Sequence, residues 1–408
     1  MAEEQRSRAG ARPETTGCLP ALASARPALL GALRQVLAPD GAAAASPVAL
    51  EDPAAVLKAV RRHRLAIALA PHADALGWPA EMATALRQEA HRQQRASLPL
   101  IATALEVMAA LQAAGLPVLL LKGPALAAQT TGQAWNRGGG DLDLLVAPDA
   151  LPRAMAVLER LGFESPAGMF PRNLTAFWGR YARWAGHELS LRREGSPWLD
   201  LHWALNTVRA PLPGFEALWR EREVVRLNGR SMPTLSRRHA FLHGCLHAAS
   251  DQWMDLRHLL DLARLAQSLP PEERERLRHR SVVRRSCAAA HDATGAPALL
   301  RCTDLQRADC QRAIARARWA QERSPRASAD GAWHLGHWLQ TVFHQASLSR
   351  SPIDWLRVIA RYSLLPAAFN DPLSGRDVGL ARALRARQRR LRERLQDNRL
   401  PGSGTAPP

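Results

Sequence analysis

Cysteine is sparse in this chain, and what there is does not pair. The five cysteines, Cys18, Cys245, Cys287, Cys302 and Cys310, are odd in number and never spaced C-x-x-C. That pattern excludes a disulfide framework or a structural zinc site as the basis of the fold, and it fits a reducing compartment. No run in the sequence approaches the roughly 18 apolar residues that cross a bilayer. The opening stretch MAEEQRSRAGARPETTG lacks the apolar centre of a signal peptide, so a bacterial cytoplasmic setting is expected. Lysine is nearly missing as well: all but Lys58 and Lys122 of the 55 basic residues are arginine.

That bias governs how the formal net charge of +18 is read. Such a charge ordinarily points to nucleic acid. Here, however, arginine and alanine are abundant throughout, as GC-rich codon usage produces, and the basic residues are dispersed. The exception is Arg376 to Arg399, where Arg382, Arg385, Arg389 and Arg392 recur at helical spacing opposite Leu380, Leu384, Leu391 and Leu395. This stretch reads first as a solvated amphipathic helix, and second as a patch for RNA or an acidic membrane. The same bias makes Lys122 informative. A chain that spends arginine almost everywhere keeps a lysine beside Gly123, which suggests a point charge that a guanidinium fork would not replace.

What is present divides the 408 residues into textures. Residues 1–20 and the tail 400–408 read as disordered. Residues 21–115 are Ala/Leu/Arg-rich and helical, and the stretch beginning PAEMATALRQEAH ends at a terminating Gly115. Residues 116–235 read as an α/β core. LPVLLLKG is a buried strand, PALAAQTTG a short helix with proline in its first turn, and DLDLLVAP a second strand. DALPRAMAVLERLGF then reads as an amphipathic helix after an aspartate cap. HELSLRR and WLDLHWAL are two more strands, and REVVRLNGRSMPTLS is a hairpin with an Asn-Gly turn leading to a serine cap. Residues 236–399 are helical in pattern.

The strand DLDLLV poses a chemical problem. Side chains at i and i+2 share a face, so Asp141 and Asp143 point one way while Leu142 and Leu144 pack on the other. Two carboxylates so close raise each other's pKa unless a cation lies between them. A divalent ion resolves this, and hard oxygen ligands suit Mg²⁺, which is commonly held by one or two carboxylates plus substrate phosphates. Gly138, Gly139 and Gly140 would let backbone approach a phosphate, and Arg137 could add a charged contact. In WLDLHWAL the alternation sets Trp198, Asp200 and His202 opposite Leu199, Leu201 and Trp203. If the two strands are neighbours, three carboxylates can hold two metal ions, which stabilise the attacking and leaving oxygens of a phosphoryl displacement. His202 either supports a site residue or is plain strand surface.

LLLKG, then NRGGGDLDLLV, a helix ending LERLGF and a strand bearing DLHW together resemble the uncharacterised bacterial branch of nucleotidyltransferases in the DNA-polymerase-β-like superfamily. The resemblance spans about residues 100–270. It implies an α+β fold: a minimal nucleotidyltransferase core, with a mixed sheet and helices on one face, flanked by N-terminal helices and a C-terminal helical bundle. It also implies that Asp141 and Asp143 coordinate the metal pair and NTP phosphates, and that Asp200 completes the site. The turn Lys122-Gly123 takes the place of the superfamily's glycine turn. That turn departs from the usual Gly-Ser or Gly-Gly, because Pro124 follows and the gap to the aspartates is long. Lys122, Arg137 or the glycine triplet could serve the phosphates instead.

The stretch FLHGCLHAASDQWMDLRHLLDLARL also resembles this branch. His243 and His247 share a helix face, which is half of a zinc pattern, but Gly244 stands where H-E-x-x-H needs glutamate. They read mainly as core histidines. A further reading has His247 or Asp261 facing the cleft to position the nucleotide or acceptor. The expected activity is Mg²⁺-dependent transfer of a nucleoside monophosphate from an NTP to a sugar, peptide or protein hydroxyl. A lapsed, fold-retaining scaffold is the alternative, and a nucleic-acid-directed enzyme ranks below both because no nucleic-acid module is recognisable.

Overall fold

A computed structural model describes residues 20–37, 48–166, 174–210, 212–296, 302–322 and 335–364. Both expected disordered tails (apart from Pro20) and the arginine-rich stretch 376–399 lie outside the described residues.

The sheet is built from strands whose character follows from composition. β1 (Val118–Leu121) is buried along its whole length, as a continuous apolar run must be. β2 (Asp141–Val146), β3 (Glu188–Leu191), β4 (Trp198–His202), β5 (Glu223–Leu227) and β6 (Arg230–Thr234) complete a six-stranded mixed sheet in the order β3-β4-β2-β1-β6-β5. β2 runs antiparallel to β1 and parallel to β4, and β3 closes one edge antiparallel to β4. The β5–β6 hairpin turns on Asn228 and Gly229, both at positive φ (47° and 78°), and Ser236 caps the helix that follows. All four expected strand regions and the hairpin are present.

Alternation then sorts the two faces. Val118, Leu120, Leu142, Leu144, Leu199 and Leu201 point into one apolar layer, packed against the second half of the long helix Ala80–Ala113 and the helix Leu151–Arg160. Leu119, Leu121 and Leu145 face the other way, onto Phe215 and Leu218 of the short helix Phe215–Arg220. Two expectations were incomplete. The helix Leu151–Arg160 begins at Ala150 with no side-chain cap, so Asp149 does not play that role. The aromatic helix Phe177–Ala185 was not anticipated.

A second core joins both ends of the chain. Buried residues of Pro20–Val36, Pro53–Arg62 and the first half of Ala80–Ala113 pack with Arg237–Ser250, Leu256–Ser268 and Ser281–Thr294. The helix Ala80–Ala113 is apolar and long enough over an 18-residue window to cross a membrane by length and composition. In the fold it spans both cores, with Leu86 buried in one and Leu100, Val107 and Leu111 in the other.

Candidate active site

The parallel register of β2 and β4 sets Asp143 directly beside Asp200, with Asp141 opposite Trp198. One carboxylate oxygen from each of Asp141, Asp143 and Asp200 lies within 4.8 Å of the others. The neighbourhood expected from alternation is therefore present: three hard oxygen donors on one sheet face, backed by leucines.

Each carboxylate is held differently. Asp141 is exposed at the strand's start, whereas Asp143 is buried. Lys122 Nζ donates to Asp143 Oδ1 at 2.9 Å, and His202 Nε2 meets the same oxygen at 3.0 Å. Burial alone would raise the Asp143 pKa, but Lys122 and His202 overcome it and hold the carboxyl well below the usual carboxylate range. Asp200 is half-buried, and Ser190, its register partner on β3, donates to Oδ1 at 2.6 Å. Burial pushes the Asp200 pKa up, and the charges of Asp143 and Glu188 add to the rise while Ser190 and His202 oppose it. The outcome is one firmly ionised carboxylate beside one that holds a proton more readily.

Lys122 reaches Asp143 from an unusual backbone. It stands at φ 40°, ψ −142°, a region that L-residues rarely visit, immediately before the helix Gly123–Thr131. Burial would lower the Lys122 pKa, but Asp143 more than offsets that and raises it. Behind His202 the polar chain continues: Glu188 lies 3.4 Å from His202 Nδ1 and 3.2 Å from His187 Nε2. Thr207 and Arg361 meet His187 Nδ1 at 3.0 and 2.9 Å.

The carboxylates open into a cleft of about 490 Å³ whose walls come from distant segments. Arg62 and Arg64 arrive from the N-terminal helices, Lys122 and Arg137 from the sheet domain, and Arg257, His247 and His258 from the C-terminal helices. Arg137 is buried and its Nε donates to Asp261 at 2.8 Å. Its two terminal nitrogens have no partner among the described residues. Asp261 therefore acts on the cleft through Arg137 and is not itself part of the cleft lining. Arg257 donates to the Gly138 carbonyl at 2.8 Å and so ties the glycine loop to the helical wall.

The glycines divide by role. Gly139 and Gly140 line the cleft, and a Cβ on Gly139 would come within 2.9 Å of Leu100 Cδ1, so a glycine there lets the loop pack closely on the long helix. Gly123, at φ 32°, occupies the turn behind Lys122. His243 is buried beside a small cavity of about 30 Å³, room for about one water. His247 lies on the cleft side, next to Asp251 at 3.5 Å. Burial pushes both imidazoles well below their ordinary pKa, and His258 down to about 4.

Ser190, Glu188, Arg257, His258, Arg62 and Arg64 were not singled out from sequence. Ser190 was within reach, since the alternation of HELSL puts it on the face of a neighbouring carboxylate strand. The arginines were not, because nothing distinguishes them among so many.

Residues 50–292 match the model of a family described as uncharacterised nucleotidyltransferase, and the chain belongs to that family. Membership makes the protein a nucleotidyltransferase, an enzyme that moves a nucleoside monophosphate from a nucleoside triphosphate to an acceptor. No curated protein matches the chain. Among solved structures, the antibiotic-resistance factor ANT(2'')-Ia is similar at 20% identity, over 44% of this chain and 89% of that one, with a TM-score of 0.33.

Proposed function

We propose that nucleotidyl transfer takes place at Asp141, Asp143 and Asp200, with Mg²⁺ as the cofactor and a hydroxyl of a sugar, peptide or protein as acceptor. The observation that carries this reading is the β2–β4 register, which sets three carboxylates on one face at the floor of a cleft walled by cations. The donor set fits the ion: all ligands are hard oxygens, and one face of Asp141 is open to the cleft. Two Mg²⁺ ions held by these residues would neutralise charge on the attacking and leaving oxygens.

The chain's own groups do the rest. Lys122, Arg137 and Arg257, with Arg62 and Arg64 at the rim, offset the triphosphate's charge and orient it, which lowers the barrier through positioning and electrostatics. Lys122 and His202 fix the Asp143 carboxylate in one rotamer, leaving Oδ2 free of both. Ser190 fixes Asp200 in the same way through Oδ1. Asp200, beside Asp143 in the β2–β4 register, accepts the acceptor hydroxyl's proton. Trp198, 45% exposed in the cleft wall beside Asp141, offers an aromatic face to the nucleobase.

The test uses NTPs labelled at the α or the γ phosphate, with Mg²⁺ and a pool of small-molecule hydroxyl acceptors. Incorporation of the α label together with release of the γ label as pyrophosphate is expected. Incorporation of the γ label would mean phosphoryl rather than nucleotidyl transfer and would contradict the reading.

A further inference from the structure

A second cluster of metal-capable side chains lies on the helical wall of the cleft, apart from the three aspartates. His247 is in the last turn of the helix Arg237–Ser250, Asp251 is that helix's C-cap, and His258 is in the first turn of the next helix, Leu256–Ser268. One ligand atom from each lies within 4.8 Å of the other two. His247 Nε2 and Asp251 Oδ2 stand 3.5 Å apart. That is close to the roughly 3.4 Å edge of a tetrahedron with ligand bonds of about 2.0–2.1 Å. The rings of His247 and His258 lie 4.8 Å apart, inclined at 60°. The turn between the helices holds Gln252 and Trp253 at φ 57° and 55°, consecutive left-handed residues that fold His258 back onto His247.

These groups lack the partners that would make them ordinary core residues. Among the described residues, the His247 imidazole and the Asp251 carboxylate have no polar partner but each other, at 3.5 Å. His258 Nδ1 is buried and unpartnered, and its Nε2 has only a long 3.4 Å contact with Arg257. His243, the other half of the spacing expected from sequence, is not in the cluster.

We propose that His247, Asp251 and His258 form a binding site for a zinc-class cation, with two imidazoles and one carboxylate as ligands and the fourth position open to the cleft. Imidazole nitrogen selects borderline transition ions, whereas the all-oxygen aspartate site suits Mg²⁺. Three protein ligands with one open position is the arrangement of zinc sites that bind water or a substrate oxygen. His247 and His258 both line the cleft, so that oxygen would come from water or from the cleft's occupant. The claim of cation binding does not depend on where nucleotidyl transfer occurs.

Co²⁺ is the probe, titrated into the full chain while visible absorption is followed. A tetrahedral imidazole-containing site gives intense bands, and a six-coordinate oxygen site gives weak ones. Intense bands that saturate at one equivalent and bleach with Zn²⁺ are expected. They should persist in the double variant Asp141→Asn, Asp200→Asn, and Co²⁺ affinity should fall at least tenfold in His258→Ala and in Asp251→Asn. If these variants do not fold, X-ray absorption of the Zn²⁺-loaded wild type decides: two nitrogen ligands are expected, and an all-oxygen shell overturns the proposal. Weak bands only, bands unchanged in folded His258→Ala, or bands lost with the aspartates would each overturn it too.

Discussion

Asp143 and Asp141 lie two residues apart on one strand, yet they do different physical work. Asp143 is buried between Lys122 and His202, so Asp143→Asn leaves a buried ammonium without its counter-charge. Breaking such a pair costs on the order of 3–5 kcal/mol, and a lower urea midpoint should report it. Asp141 is exposed and unpaired among the described residues, so Asp141→Asn should melt like wild type while losing turnover. Ser190 offers a finer test. Its hydroxyl lowers the Asp200 pKa by bonding the charged form, so Ser190→Ala raises that pKa further. Asp200 must be unprotonated to accept a proton, so the acidic limb of the pH–kcat/KM profile should move to higher pH. An unmoved limb would remove Asp200 from the role of base. At this scale the three aspartates were legible because a strand alternates and a buried carboxylate needs a reason. Ser190 was within reach of the same alternation, whereas Glu188 was not legible, because a glutamate on a strand edge is unremarkable until its neighbour is known.

The elements that build the site were legible where their pattern was strong. β1 is all apolar, β2 and β4 alternate, and the Asn-Gly hairpin carries its own turn chemistry. The aromatic helix Phe177–Ala185 went unanticipated although its buried residues Trp178, Gly179, Ala182 and Ala185 recur at helical spacing. What no pattern revealed is that the glycine loop packs on the long helix. Gly139→Ala places a methyl within 2.9 Å of Leu100 Cδ1, so either the buried Leu100 side chain shifts or the loop that leads into Asp141 backs away from it. KM for the NTP should rise, and Gly139→Ala combined with Leu100→Ala should recover part of that loss, although Leu100→Ala alone costs about 2–5 kcal/mol of stability. No recovery in the double variant would show that Gly139 serves phosphate contact rather than packing.

Across the whole molecule, helices from both ends of the chain share one core and between them wall the cleft. This is why Arg62, Arg64, Arg257 and His258 meet over the aspartates, and why linear order hides the meeting. The same burial makes the molecule sensitive to acid. His63 and His187 are each lowered from 6.5 to about 4, in both cases chiefly by burial. Because the folded pKa lies below the unfolded one, the unfolded chain binds more protons between these values, and stability falls as pH drops from about 6.5 to about 4. Urea midpoints measured over that window should decline, and His63→Gln should flatten the slope. A slope identical to wild type would mean that His63 is not held neutral by the fold.

A thermal-shift titration tests whether Asp141, Asp143 and Asp200 form a metal-dependent nucleotide site. Melting temperature is followed for wild type and Asp141→Asn with each of the four NTPs, with and without Mg²⁺, since a ligand that binds only the folded state raises it by mass action. A rise in wild type that requires Mg²⁺ and is lost in Asp141→Asn is expected. A rise independent of Mg²⁺, or one retained in full by the variant, would place nucleotide binding elsewhere and contradict the assignment to these aspartates.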